Sequence, residues 1–176
     1  MGMRQRPLVG EPLALDLVNT QWVDRGQAVD LFDEPGGVRA WLGEHDLPGD
    51  PASAEEPLRQ ARAALRRALE QPGPHSEDDL NAILARGASR YALHDATPRE
   101  IHDVDSAWLP AWRAVRDYLD LLRCRPDRIR PCAHPACILF FHDTSRNGTR
   151  RWCSMDGCGS RAKAARHYQR QRTTGA

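Results

Sequence analysis

The sequence predicts an α+β protein, with a mostly helical N-terminal domain that contains a small sheet and a C-terminal module made of a knuckle, a β-hairpin and a helix. Three observations support this class. Apolar residues recur at helical spacing through much of the first 122 residues, a stretch near the start alternates like a strand, and four of the five cysteines form two close pairs in the last third. The predicted parts are a domain over 1–122, a basic linker over 123–131 and the cysteine module over 132–172.

Two short segments of the N-terminal domain have the pattern of strands. In LALDLV, residues 13–18, leucines alternate with other residues, which predicts a strand buried on one face. Asn19 and Thr20 follow, and their side chains can turn the backbone. RYALHD, residues 90–95, is a second candidate strand.

Apolar stripes at three- and four-residue spacing predict four amphipathic helices. In chain order, the stripes are Val38, Trp41, Leu42 and His45; Leu58, Ala61, Leu65 and Leu69; Leu80, Ile83 and Leu84; and Trp108, Trp112, Val115, Leu119 and Leu122. Ser53 precedes Glu56 by three residues, which predicts a capping box at the start of the second helix. Pro110 falls in the first turn of the fourth helix, where proline is tolerated.

Charge is divided unevenly along the chain. Residues 1–122 carry 13 arginines against 21 acidic residues, a formal charge of −8, and residues 123–176 carry 12 basic residues against three aspartates, a charge of +9. A basic segment of this kind favours a polyanionic partner, and it could also clamp the two halves of the protein together.

The chain has no apolar run close to the roughly 18–20 residues of a membrane span, and its first 20 residues lack the long apolar region of a secretion signal. We therefore expect a cytoplasmic protein with no membrane partner. Because reducing cytosol keeps thiols free, paired cysteines in such a protein favour a metal site over disulfides.

The two cysteine pairs have the spacing C-x4-C-x15-C-x4-C, formed by Cys132, Cys137, Cys153 and Cys158. Four thiolates in two local pairs are what a tetrahedral structural zinc site needs, and they leave no open position for catalysis. A module of about 40 residues has too little core to fold unaided, and zinc would supply the missing stability.

The four cysteines also permit other interpretations. Two disulfides, a redox pair and an iron–sulfur centre are each compatible with four thiols, although neither pair is C-x-x-C and no secretion signal is visible. His134 and His142 lie near the cysteines and could replace one as a ligand. Cys124 is left over, and we expect it to be a small core residue.

The sequence around the cysteines predicts a treble clef, in which a knuckle, a hairpin and a helix carry the ligands. Residues 138–142 resemble a strand, Asn147 and Gly148 give a hairpin signal, and 150–152 would return the chain. A helix-forming run begins directly after Cys158.

Basic residues follow the cysteines on one predicted helix face and on the hairpin. The candidate nucleic-acid contacts are Arg146, Arg150, Arg151, Lys163, Arg166, His167 and Arg170. Arg161 falls with the apolar face, so we expect it to brace the module. A merely solvated basic face is the alternative interpretation.

The stretch from Cys132 to Arg172, CAHPACILFFHDTSRNGTRRWCSMDGCGSRAKAARHYQRQR, resembles the CGNR-type zinc finger family of bacterial transcription regulators. The motif that names the family, Cys-Gly-Asn-Arg, reads Cys158-Gly159-Ser160-Arg161 here, with serine in place of asparagine. Upstream, LALDLVNT and the later AWL resemble the companion domain of this finger, which is described as a stress-induced regulator domain.

The resemblance implies zinc binding, DNA binding and control of transcription. Asp16, Asn19 and Thr20 match the polar signature of the companion domain and are candidate pocket residues, although they could simply cap and turn the chain. Asp143 matches the finger's hairpin and is expected to hold Arg150 or Arg151.

Two functional hypotheses follow. The first is a DNA-binding transcription regulator with a structural zinc finger and an N-terminal sensing or scaffolding domain, which would have a small-molecule effector or a protein as a further partner. The alternative is a zinc-stabilised protein–protein interaction module that docks an acidic surface. An enzyme is not expected, because we find no nucleophile–base pair, phosphate loop or paired-carboxylate pattern.

Overall fold

A computed structural model describes residues 4–164 and confirms the α+β class. Its helices are α1 (Leu13–Val18), α2 (Gly37–Glu44), α3 (Pro51–Glu70), α4 (Pro74–Leu84) and α5 (Leu109–Cys124). Its strands are β1 (Gln21–Asp24), β2 (Gln27–Asp30), β3 (Gly87–His94), β4 (Thr97–Val104), β5 (Ile129–Pro131) and β6 (Phe140–His142). Each odd-numbered strand pairs antiparallel with the next strand. A π-helical turn, Met155–Gly159, leads into helix over 160–164.

The segment LALDLV forms α1, so the predicted strand at 13–18 is wrong. Five consecutive side chains, 14–18, are buried, because α1 lies between α3, α5 and β6. Because α1 is enclosed by these elements, the alternation of its leucines does not separate a buried face from an exposed one. A short apolar run is therefore ambiguous between helix and strand.

The other predicted elements of the N-terminal part are confirmed. RYALHD lies mostly in β3, and the four apolar stripes fall on α2, α3, α4 and α5, except that His45 and Trp108 are the cap residues next to α2 and α5.

Two details at the helix ends differ from the predictions. Asp50, rather than Ser53, caps α3, since its carboxylate accepts from the Ser53 N–H at 3.0 Å and proline follows it at the first helical position. Leu122, at the end of the α5 stripe, is 40% exposed. A strict 3.5-residue repeat drifts by about 20° per heptad on a straight α-helix, so the stripe leaves the buried face over its two heptads.

The segment predicted as a linker contains structure of its own. It holds the end of α5, a 3₁₀ turn (Pro126–Arg128) and β5. β5 pairs with β6, with Ile129 opposite His142 and Pro131 opposite Phe140. The predicted hairpin between 138–142 and 150–152 is therefore wrong. The pairing instead joins the chain before the first cysteine to the chain after the second.

One buried apolar cluster extends through the described residues. It includes Leu15 and Leu17 of α1 and Leu58 of α3, and it continues into Phe140 and Phe141 of β6 and the buried cysteines. The boundaries at 122 and 131 stay predictions.

Candidate metal centre

The four cysteine thiols predicted to bind metal lie together. Their Sγ atoms are all within 4.8 Å of one another. Cys153 Sγ lies 3.9 Å from Cys137 Sγ and 3.6 Å from Cys158 Sγ. A zinc ion with four Zn–S bonds of about 2.3 Å requires sulfur–sulfur separations of about 3.8 Å, so the spacing fits that ion. It is far longer than a disulfide bond, and all the thiols are free.

Two tight turns deliver the cysteines in pairs. In the first, the Cys132 N–H donates to Leu139 O and the Cys137 N–H donates to His134 O, both at 2.9 Å, which folds the chain back directly after β5. In the second, the Ser154 hydroxyl accepts from the Gly157 N–H at 2.9 Å and caps the π-helical turn that contains Cys158. Each pair is therefore fixed by local hydrogen bonds.

The electrostatics of the cluster favour a bound cation. The hydrogen bond from the Cys153 thiol lowers the pKa of Cys137 to about 5, whereas burial raises the pKa of Cys158 to about 11. The neighbouring Cys137 also raises the pKa of Cys153. Four thiols at this distance, three of them buried and that of Cys137 half-buried, cannot all ionise by themselves, and a divalent ion would stabilise the four thiolates.

Two N–H groups support the sulfurs. The backbone N–H of Cys153 donates to Cys132 Sγ at 3.4 Å, and the Arg161 guanidinium donates to Cys158 Sγ at 3.1 Å. The bracing role predicted for Arg161 is consistent with this contact.

The other residues of the Cys-Gly-Ser-Arg motif also have local roles. A Cβ at Gly159 would lie 3.0 Å from Met155 Sδ, so a larger residue there would have to displace the Met155 side chain. The Ser160 hydroxyl, where the family has asparagine, donates to Met155 O at 3.0 Å.

The alternative ligands lie outside the cluster. His134 Nδ1 accepts from the Ala136 N–H at 3.2 Å and closes the first turn. His142 lies in β6, and its Nε2 is buried without a hydrogen-bond partner among residues 4–164. Cys124, at the end of α5, is exposed, so its predicted core position is wrong.

The predicted nucleic-acid contacts have different environments. Arg146, Arg151 and Lys163 are exposed. Arg166, His167 and Arg170 lie outside the described residues. The Arg150 guanidinium is used internally, and its predicted contact with nucleic acid stays a prediction. It donates to Cys153 O at 2.5 Å and to Glu11 at 3.3 Å, and it covers the Phe141 ring.

Asp143 holds Arg150 differently from the prediction. Its carboxylate accepts from the backbone N–H of Arg150 at 3.0 Å, while the Arg150 guanidinium points to other acceptors. Asp143 also accepts from the N–H and the hydroxyl of Ser145, which fixes the loop that follows β6.

The candidate pocket residues Asp16, Asn19 and Thr20 are completely buried and hydrogen-bonded. Asp16 accepts from Arg6 at 2.6 Å and from Trp41 at 3.0 Å. Burial raises the pKa of Asp16, but hydrogen bonds from His45 and Arg6 outweigh it and hold that pKa below the ordinary value. These contacts are those of structural groups, and the pocket role stays a prediction.

Asn19 and Thr20 reach partners far along the chain. The Asn19 amide accepts from the Phe140 N–H at 3.0 Å and donates to Phe140 O at 2.8 Å. The Thr20 hydroxyl donates to Leu17 O and accepts from Arg62 at 2.8 Å.

Sequence reasoning missed Glu11 and Arg62. Glu11 accepts from the His142 N–H at 2.7 Å and from Arg150, so it joins the start of the chain to β6. Arg62, which is buried, makes an ion pair with the partly buried Asp30. The sequence places Arg62 between Leu58 and Leu65 on the apolar stripe of α3. A charged residue on a buried face needs a partner, so this position could have predicted an ion pair.

Two protein families match this chain. Residues 11–124 match the ABATE family, described as "Putative stress-induced transcription regulator", and residues 128–171 match the CGNR zinc finger. Neither is an enzyme family. A search of curated proteins found no relative. Within residues 4–164, every helix is too short or too polar to cross a membrane. The four clustered cysteines fit the zinc binding of the matched finger. The chain therefore belongs to the ABATE family and carries a CGNR zinc finger after the ABATE domain.

Proposed function

We infer that the protein is a DNA-binding transcription regulator whose zinc finger contacts the DNA backbone. The observation that carries this proposal is the charge of +9 on residues 123–176, beside an N-terminal part with a charge of −8. Basic residues that neutralise phosphates release condensed counterions, which drives binding to nucleic acid.

Zinc would have a structural role in this function. Cys132, Cys137, Cys153 and Cys158 would bind it as a closed shell of four thiolates, which leaves no position for a substrate or a water molecule. The ion would fix the two turns relative to each other. The basic residues on the loop between the turns and on the following helix would then have a defined arrangement.

The DNA-binding surface would combine exposed cations of the finger. Arg146, Arg151 and Lys163 are exposed, and the predicted face adds Arg166, His167 and Arg170 beyond the described residues. Arg150 would support this surface from behind, through Glu11 and Cys153, rather than contact DNA.

The N-terminal domain would sense a small-molecule effector or a protein partner, or act as a scaffold. α1 lies directly against β6, and Asn19 bonds both backbone polar groups of Phe140. A change in the packing of α1 would therefore reach the finger directly. No catalytic role is proposed, and the cytoplasm is the proposed location.

Binding to random-sequence duplex DNA tests this function. We expect the zinc-loaded protein to bind a fluorescent duplex, and binding to weaken steeply as salt rises. Removing zinc with a chelator should abolish binding, and restoring zinc should recover it. Absence of binding by the zinc-loaded protein at low salt would contradict the proposal.

The alternative is a module that docks an acidic protein surface. The Glu11–Arg150 ion pair supports it, since the finger already contacts an acidic residue of its own N-terminal part. In the same experiment, zinc-loaded protein that ignores duplex DNA but binds an acidic polypeptide such as polyglutamate would favour this alternative.

A further inference from the structure

A cleft of about 350 Å³ lies between the turn after α5 and the loop after β6. Its lining includes Arg125, Arg128 and Arg146, together with Asp143, Thr144 and Ser145. We propose that this cleft binds a phosphodiester group of the DNA backbone, as a contact site separate from the helix after Cys158. The proposal rests on the DNA-binding function inferred above and adds Arg125 and Arg128 to it.

Two cations at the cleft have no partner in the part of the chain that the structure describes. Arg125 and Arg146 are exposed, and neither side chain has a hydrogen bond or an ion pair within residues 4–164. In contrast, most arginines of the N-terminal helices, such as Arg59 and Arg116, are paired with carboxylates. Planar guanidinium groups suit phosphate oxygens, because they can donate two parallel hydrogen bonds.

The third arginine is held rigidly beside them. Arg128 donates to Ser145 O at 2.8 Å and to Asp143 O at 3.3 Å, and its side chain is 17% exposed. Its guanidinium also lies against Gly148, where an added Cβ would be 2.8 Å from Arg128 Cζ. Arg128 therefore fixes the loop that carries Arg146, and its positive charge is partly offset by the exposed Asp127 carboxylate, 3.6 Å from its Nε.

The acidic residue of the lining does not cancel this charge. The Asp143 carboxylate is buried and accepts from two groups of Ser145 and from the Arg150 N–H. It also lies 3.8 Å from the Arg130 guanidinium. With its oxygens committed to these donors, Asp143 orders the cleft without facing a ligand as a free anion.

One further group could bind an anion there, since Thr144 lines the cleft, is exposed and adds a hydroxyl. Arg125 and Arg146 are exposed at the edge of the cleft. They can therefore contact a phosphate that is part of a large polymer, such as DNA, lying outside the cleft.

The test compares two double variants of the full chain that lose the same charge. Arg125→Ala/Arg146→Ala removes both free cations of the cleft. Arg39→Ala/Arg90→Ala is the matched control, because both of those arginines are exposed and lie in the N-terminal part. Duplex binding would be measured from low to high salt, and zinc content would show that both variants retain the folded finger. Titration with inorganic phosphate would test the free anion.

We expect the cleft variant to bind more weakly, with a salt slope flatter by about 0.9 per lost contact, or roughly two in all. The control should keep the parent slope. A parent-like slope in the cleft variant, with the parent binding normally, would overturn the cleft and leave the proposed function standing. A parent that does not bind DNA would overturn both. Saturable binding of inorganic phosphate that competes with DNA only weakly would show that the cleft takes the free ion instead.

Discussion

At the scale of single residues, Asn19 couples the N-terminal helices to the zinc finger. Its side-chain amide bonds both the N–H and the C=O of Phe140, as the backbone of a neighbouring strand would do. Because both residues are buried, water cannot replace these bonds. A residue predicted to turn the chain or to line a pocket thus completes the hydrogen bonding of β6.

Replacing Asn19 by alanine should destabilise the protein by about 2–4 kcal/mol, because it leaves two buried backbone groups of Phe140 without partners. Urea unfolding of the zinc-loaded protein measures this. Asn81→Ala is the control, since Asn81 is exposed on α4 and should change stability little. A loss below about 0.5 kcal/mol for Asn19→Ala would show that water or a shifted chain replaces the amide.

Prediction from sequence worked for residues whose partners are close in the chain. The cysteine cluster could be predicted because each pair is local and its chemistry permits few alternatives. The partners of Arg150 and Asn19 could not be predicted, since Glu11 is 139 residues from Arg150 and Phe140 is 121 residues from Asn19. Such contacts depend on how the whole chain packs.

At the scale of elements, the loop after β6 shows why the hairpin prediction failed. Asn147 and Gly148 do form a turn, and Gly148 has a φ of +61°. The Gly148 N–H donates to Ser145 O and closes the turn, while the Asp143 carboxylate accepts from the Arg150 N–H, so no strand ladder forms across the loop. β6 pairs with β5 instead, and that choice of partner is not encoded in the local turn signal.

Gly148→Ala should cost about 2 kcal/mol of stability, because alanine is unfavourable at this positive φ and its Cβ would also displace the Arg128 guanidinium. Gly26→Ala is the matched control. Gly26 has a φ of +82° with nothing within 4 Å of an added Cβ, so it isolates the backbone cost of about 1 kcal/mol. Thermal or urea unfolding compares the two. Equal losses would contradict the role of Arg128 in holding the loop.

At the scale of the whole molecule, the cysteine cluster is part of a continuous core. Buried cysteines belong to the same apolar cluster as Leu15 and Leu58, so the finger and the N-terminal helices support each other. The contrast in charge is also a property of the whole chain. It places the basic residues on the segment that the metal would organise, which is why the zinc site is central to the proposed function.

X-ray absorption at the zinc edge tests that central claim most directly. We expect one zinc per chain, surrounded by four sulfur atoms at about 2.3 Å. Cys124→Ser should leave this spectrum unchanged, because Cys124 is exposed and outside the cluster, whereas Cys153→Ser should remove a sulfur from the shell or prevent zinc binding. A shell containing nitrogen or oxygen ligands in the parent protein, or protein that binds no zinc, would contradict the account.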